Sequence, residues 1–293
     1  MAEKDKLFEH VNALIREVEE DKCVVTRDEA LRRLRVLGLD DFGGFLLTMP
    51  NGEYPRLSKL LPAMASDEVQ RNWTGNSGIA LLKQSTTFIR SMIYNYARLT
   101  GRGLDGARIL DYGCGYGRLA RLMYAFIDPD RFYGVDPWTK SIELCKEAGL
   151  ETNIFVSDYL PTTLPVGAAR FDLIYAFSVF THLSERAIHA SLRTLRRYVS
   201  DDGVLIITIR PIEYWFHDPD TTASERELQI EQHRQTGFSF HPHIREPIDG
   251  DITYGDTSMT LEWLARRNPD WKIMGADHSL EDPFQRYVFL SPN

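Results

Sequence analysis

The apolar positions of this 293-residue chain change their period partway along it. Before residue 100 they recur at helical spacing, and Phe8, Val11, Leu14, Ile15 and Val18 predict an amphipathic helix. Thr26-Arg27-Asp28-Glu29 fits a capping box that opens a second helix, with Gly38 as its stop. Residues 39–65 carry Gly43-Gly44, Pro50-Asn51-Gly52, Pro55 and Pro62, and predict an irregular connector. A long helix follows from Ile79 to Thr100, stopped by Gly101. From residue 108 to 209 the pattern becomes short apolar runs separated by helical stretches: 109–111, 131–136, 153–159, 171–176 and 204–209. Strands alternating with helices predict parallel βαβ units with right-handed crossovers. A helix starting at Thr260 and two strands, Trp271–Ala276 and Arg286–Leu290, close the chain. The expected organisation is an N-terminal helical extension over 1–104 and an α/β core over 105–293, interrupted by an insertion at 211–258.

The first strand carries the most specific signal. It is a short apolar strand, Ile109-Leu110-Asp111, ending in a carboxylate; Gly113, Gly115 and Gly117 follow at alternate positions, and a helix, Leu119 to Phe126, starts behind them. Glycines at alternate positions suit a backbone that turns sharply and comes close to a ligand, because no Cβ stands in the way. The helix start adds unpaired N–H groups for a polar or anionic group. Two frames compete. Asp-x-Gly-x-Gly-x-Gly is complete as Asp111, Gly113, Gly115 and Gly117, whereas the dinucleotide fingerprint survives only as Gly115, Gly117 and Ala120. A second acid, Asp136, ends the next strand 25 positions after Asp111 and precedes Pro137. A carboxylate there accepts from both hydroxyls of a ribose, a role that suits either nucleotide.

The flanking pattern favours the first frame. Asp158-Tyr159 follows the third strand, Phe177 to Leu183 follows the fourth, and Asp202-Gly203 precedes the fifth. In this order the segments resemble the motifs of class I S-adenosylmethionine (SAM)-dependent methyltransferases over roughly 105–293. The resemblance implies a Rossmann-like three-layer sandwich: a mostly parallel seven-stranded sheet whose last strand is antiparallel. It implies SAM as cofactor and S-adenosylhomocysteine as product. It places Asp111 near the methionine amino group, Asp136 and Pro137 at the ribose, and Asp158, Tyr159 and Phe177 around the adenine and the fourth motif. Asn72-Trp73-Thr74-Gly75-Asn76-Ser77-Gly78 reads as a lid loop over the methionine part, with Gln84 near its carboxylate; a capping loop around a buried tryptophan is the plainer reading. Cys114 is read as a small packing residue, since nothing in the sequence pairs with it.

Composition narrows the partners. A formal charge of −8 without a basic cluster argues against nucleic acid or an anionic membrane surface. Three widely spaced cysteines give no disulfide framework and no metal site. The N-terminus has no apolar signal segment and no run reaches the roughly 18 residues of a membrane helix, so a cytoplasmic protein is expected. The insertion holds His217, His233, His241 and His243, whose spacing matches no zinc pattern. His182, just after the fourth strand, and His241 are the candidate bases, because an imidazole titrates near neutral pH. For His182 the alternative is a structural histidine at the start of a helix capped by Ser184. Tyr214, Trp215, Phe216, Phe238 and Phe240 suit the wall of an acceptor pocket or simple anchors for the insertion.

The expected reaction is transfer of a methyl group to an oxygen or nitrogen of a small molecule, of natural-product or glycan type. A peptide or protein carboxyl- or amine-acceptor, an NAD-dependent oxidoreductase and a SAM-binding protein without catalysis stand as alternatives. The segment Tyr175-Ala176-Phe177-Ser178 differs from the Asn-Pro-Pro-Tyr pattern of methyltransferases acting on bases or glutamine amides. No oligomeric state follows from the sequence.

Overall fold

The computed structural model describes residues 7–150, 153–219 and 221–293. They fall into two compact units, one of the described residues up to Tyr94 and from Gly103 to Val156, the other of those from Asn95 to Arg102 and from Ser157 to Asn293.

In the first unit, helices α1 (Asn12–Glu20) and α2 (Arg27–Leu34) bury Ile15, Val18, Ala30, Leu31 and Leu34. The capping box of Thr26 and Glu29 is formed as expected. Residues 39–47 differ from the expected connector: Gly38 is the N-cap of a further helix, α3 (Leu39–Leu47). The Gly43-Gly44 pair that reads as a turn lies inside this helix. A Cβ on Gly43 would come within 2.7 Å of side chains of both Leu82 and Leu122, so the pair serves close packing. A single turn, α4 (Leu57–Leu60), leads to α5 (Asp67–Thr74), which is capped by Ser66 and closed by Gly75 at φ +75°. Trp73 therefore projects from the end of a helix and not from an open loop. The long helix α6 (Gly78–Thr100) runs almost as predicted.

The strands of this unit are β1 (Ile109–Tyr112), β2 (Phe132–Asp136) and β3 (Ile154–Val156), with α7 (Arg118–Met123) and α8 (Thr139–Glu147) as crossovers. They lie in the order β3-β2-β1. All pairs are parallel, with Ile109 opposite Phe132 and Gly134 opposite Ile154. Every residue of β1 is buried, as a parallel strand covered on both faces requires.

The second unit contains β4 (Phe171–Ala176), α9 (Glu185–Tyr198) and β5 (Val199–Ile209). The insertion folds into α10 (Ala223–Thr236), then β6 (Phe238–Pro242) and β7 (Gly255–Met259), which form a separate antiparallel pair. Helix α11 (Leu261–Arg267) and strands β8 (Trp271–Ser279) and β9 (Asp282–Pro292) complete the chain. Here the order is β4-β5-β9-β8. β4 is parallel to β5, and β9 is antiparallel to both β5 and β8. The fold is thus the mostly parallel seven-stranded α/β sheet expected, with the last strand of the chain reversed. No helix among the described residues is long and apolar enough to cross a membrane.

Candidate functional site

The glycine loop leaves β1 through three left-handed residues, Gly113 (φ +84°), Gly115 (φ +54°) and Gly117 (φ +76°). A Cβ on Gly117 would collide with Leu150, so that glycine is required by space as well as by conformation. Over Gly115 a Cβ would meet only Trp73 within 4 Å, which leaves the loop open on the side that this indole borders.

Two charged residues hold the loop in shape. Asp136, at the tip of β2, accepts from the Gly115 amide through Oδ2 (2.9 Å) and from the Trp138 amide through Oδ1 (2.9 Å). Burial raises the pKa of its carboxyl, against the lowering effect of those two amides and of Ser141. Arg121, in α7, is fully buried. Its guanidinium donates to the carbonyls of Tyr116 (2.9 Å), Gly117 (2.7 Å) and Ala63 (2.7 Å). Burial lowers its pKa. Sequence reasoning missed Arg121, because nothing in the spacing of a helical arginine tells that its partners are backbone carbonyls. Cys145 donates to the Gly115 carbonyl at 3.2 Å. The Cys114 thiol is pushed well up by its hydrogen bond with Cys145 and by burial, which suits the packing role expected for it.

Around the loop the structure brings together most of the residues expected in its own unit. Trp73 stacks on Trp138 (centroids 4.7 Å apart, planes 19° apart) and meets Tyr116 edge-on at 6.4 Å. Trp138 is the second residue that sequence reasoning missed, although it directly follows Asp136-Pro137. Asp111 is buried in β1. Gln84 Oε1 accepts from Arg118 Nη1 at 2.6 Å, and so orients a guanidinium in the first turn of α7. Asp158, Tyr159 and Phe177 belong to the second unit. Asp158 and Tyr159 are exposed, and Phe177 is buried with its ring 6.5 Å from that of Tyr287.

In the second unit a polar cluster gathers beyond the carboxyl ends of β4 and β5, the end at which open α/β sheets bind ligands. Asp256 of β7 is its centre and is 4% exposed. Asp256 Oδ1 accepts from Arg210, and Oδ2 accepts from His243 Nε2 at 2.7 Å. The Arg210 guanidinium lies 3.9 Å from the Tyr214 ring centroid and donates to the Thr181 carbonyl at 3.0 Å. Burial holds the Asp256 carboxyl up, but Arg210 and the His243 hydrogen bond bring it below the usual range.

His182 belongs to this cluster, and its surroundings oppose the expected role of base. Its Nδ1–H donates to the Gly255 carbonyl at 2.8 Å, which leaves Nε2 as an acceptor, and Arg210 Nη2 donates to Nε2 at 3.2 Å. Burial, and then the Arg210 charge, push its pKa down to about 3. Both ring nitrogens are used, so no lone pair is left to take a proton. The imidazole instead stacks flat on Tyr254 (5.1 Å, 6°) at the Ser184-capped start of α9, the structural reading. His241, unlike His182, makes no hydrogen bond to the cluster among the described residues. It lies close enough to Glu225 to add to the lowering of that carboxyl's pKa, behind the hydrogen bonds from Thr222.

A family model described as a methyltransferase domain matches residues 85–245, more than half of the chain, and the chain belongs to that family. It is a SAM-dependent methyltransferase. A ubiquinone biosynthesis O-methyltransferase of Methylocella silvestris is 28% identical over 224 residues, covering 62% of this chain and 86% of the relative. One of Haemophilus ducreyi is 25% identical over 126 residues, 39% of this chain and 50% of the relative. Among solved structures, a SAM-dependent methyltransferase of Clostridium acetobutylicum aligns with a TM-score of 0.49 at 11% identity, covering 77% of this chain and 96% of the other. Magnesium protoporphyrin IX methyltransferase of Synechocystis aligns at 0.48 and 16% identity, with 77% and 94% covered.

The residues present fit the cofactor on two counts. The loop face over Gly115 is free of side chains apart from Trp73. The Tyr116 hydroxyl, buried in the same loop, has no hydrogen-bond partner among the described residues.

Proposed function

We propose that the protein transfers a methyl group from SAM to a hydroxyl oxygen of a small molecule. The observation that carries the cofactor half is the glycine loop, with three left-handed glycines fixed from behind by Asp136 and Arg121 and bordered in front by Trp73. SAM supplies an electrophilic methyl group on a sulfonium, so the chain's task is to bind, orient and exclude water. The loop amides and Arg118, steered by Gln84, suit the carboxylate of the methionine part. Asp111 suits its ammonium. Asp136 accepts from two backbone amides and from Ser141 and keeps remaining acceptor capacity for a ribose hydroxyl, next to Pro137. Trp138, half exposed, offers an aromatic face to adenine, and Asp158, Tyr159 and Phe177 are kept as further contacts to test.

Oxygen is preferred over nitrogen because both curated relatives are O-methyltransferases by name. Natural-product or glycan hydroxyls are the acceptor class. The experiment is incubation with methyl-labelled SAM and two acceptors of similar size, catechol and aniline. Label transferred to catechol supports the reading; label transferred to aniline alone contradicts it.

A further inference from the structure

We propose that the second unit holds a binding pocket for a small carboxylic acid with an apolar body, whose carboxylate is taken by Arg286 and His233. The pocket lies wholly within that unit, and the proposal is independent of the O-methylation reading.

The pocket is a cavity of about 400 Å³, with Ile209, Ile212, Met259 and Leu261 as its apolar lining. A cavity of this size, mostly apolar and with a few converging polar groups, is what a small-molecule site requires. The sheet supplies one side of it. Ile209 of β5 stands opposite Arg286 of β9, and Arg286 stands opposite His278 of β8. Residues paired directly across strands share a face, so these three form one row. Helix α10 adds His233.

Two donors of this pocket are left over by the fold. The Arg286 guanidinium is half-buried and has no acceptor among the described residues. His233 is 6% exposed, and its Nδ1 lies 2.7 Å from Ser258 Oγ. Ser258 Oγ also accepts from Trp215 Nε1 at 2.7 Å. An indole only donates, and Ser258 and Trp215 are both fully buried, so the serine's own hydrogen goes to His233 Nδ1. The imidazole proton is thereby fixed on Nε2, which has no acceptor among the described residues. Burial lowers the pKa of this histidine against the raising effect of Glu213, and the ring stays neutral.

The acids beside the pocket do not satisfy these donors. Asp277 accepts from the His278 amide through Oδ1 (2.8 Å) and from Asn95 Nδ2 through Oδ2 (3.4 Å), and Glu213 is exposed. A guanidinium and an N–H donor facing an apolar wall call for an anion joined to an apolar group. A carboxylate suits both donors, because its two oxygens match the arginine fork and keep lone pairs for the imidazole N–H.

The test is the ¹⁵N spectrum of the intact protein with labelled histidines, recorded without SAM at pH 7.5. Three probes are titrated: benzoate, benzyl alcohol as the same body without the charge, and acetate as the charge without the body. The expected results are an Nε2–H tautomer for His233 and saturable shifts of its signals with benzoate. Benzoate is expected to bind roughly tenfold or more tighter than either of the other two. Arg286→Gln is expected to remove the advantage of benzoate over benzyl alcohol. Ala276→Phe, at an exposed lining position, is expected to weaken both. An Nδ1–H tautomer, the absence of a saturable benzoate shift, or binding of benzyl alcohol as tight as that of benzoate overturns the proposal on the wild type alone. A benzoate advantage that survives Arg286→Gln overturns it as well.

Discussion

The amide of Gly115 donates to Asp136 Oδ2 at 2.9 Å, so the acid that ends the second strand fixes the loop that follows the first. Asp136 is therefore an element of loop geometry before it is a ligand of any ribose. Asp136→Asn keeps the shape but removes the charge and one of the acceptor oxygens. A lost charge-assisted hydrogen bond is worth about 1.5–3 kcal/mol, which converts to roughly 10- to 100-fold weaker SAM binding. Calorimetry reads this directly, and an affinity unchanged in the variant is incompatible with the assignment.

Arg121 makes a prediction about stability. Its guanidinium bonds the carbonyls of Tyr116, Gly117 and Ala63 in a fully buried setting. Arg121→Met fills similar volume but strands three buried acceptors, at a cost of about 2–4 kcal/mol. Urea unfolding of the variant is expected to show a lower midpoint at an unchanged slope, together with weaker SAM binding. A midpoint equal to that of the wild type shows that the carbonyls find other donors.

Gly117 tests the loop from the inside. At φ +76°, with Leu150 where a Cβ would go, Gly117→Ala incurs both backbone strain and a clash. The expected loss is about 1–3 kcal/mol in stability. Gly167 also has positive φ (+63°) but open space around its Cβ position, so Gly167→Ala is the matched control and loses the smaller amount. Equal losses at the two positions argue against crowding as the reason for Gly117.

The pH dependence of stability follows from His182. Burial, then Arg210, lower its folded pKa to about 3 from an ordinary 6.5. Below pH 6.5 the unfolded chain takes up a proton at this residue that the folded chain refuses. Its contribution is therefore fully present above 6.5 and is lost as pH falls toward 3, by about 1.4 kcal/mol per pH unit. His233, lowered by burial, acts in the same direction. Stability measured in urea at pH 7 and pH 5 is expected to differ by about 2 kcal/mol from His182 alone, and His182→Gln to remove that share. A wild type equally stable at both values contradicts the buried neutral imidazole.

Much of this fold is legible in the chain because its signals are local. The run 171–176 is a strand with the predicted ends, the helix 79–100 starts one residue early, and the Thr26–Glu29 capping box forms. The glycine loop is legible too, since its conformation is written in three residue types. What escapes depends on partners far along the chain. Gly43-Gly44 reads as a turn until Leu82 and Leu122 show why a helix needs it bare. The cluster at Asp256 joins residues 182, 210, 243 and 256, so histidines close in sequence take different surroundings. His243, two positions after His241, is on the carboxylate, while His241 stands near Glu225. Trp138 and Arg121 are ordinary residues in sequence and acquire their roles through packing against Trp73 and the loop carbonyls.

The account depends first on what the glycine loop cups. Titration calorimetry of the full chain with SAM, S-adenosylhomocysteine and NAD, repeated on Trp73→Ala, decides this most directly. Heat from SAM and S-adenosylhomocysteine, none from NAD, and weaker SAM binding in the variant are the results expected. Binding of NAD in preference to SAM contradicts the account, as does a SAM affinity indifferent to the indole beside Gly115.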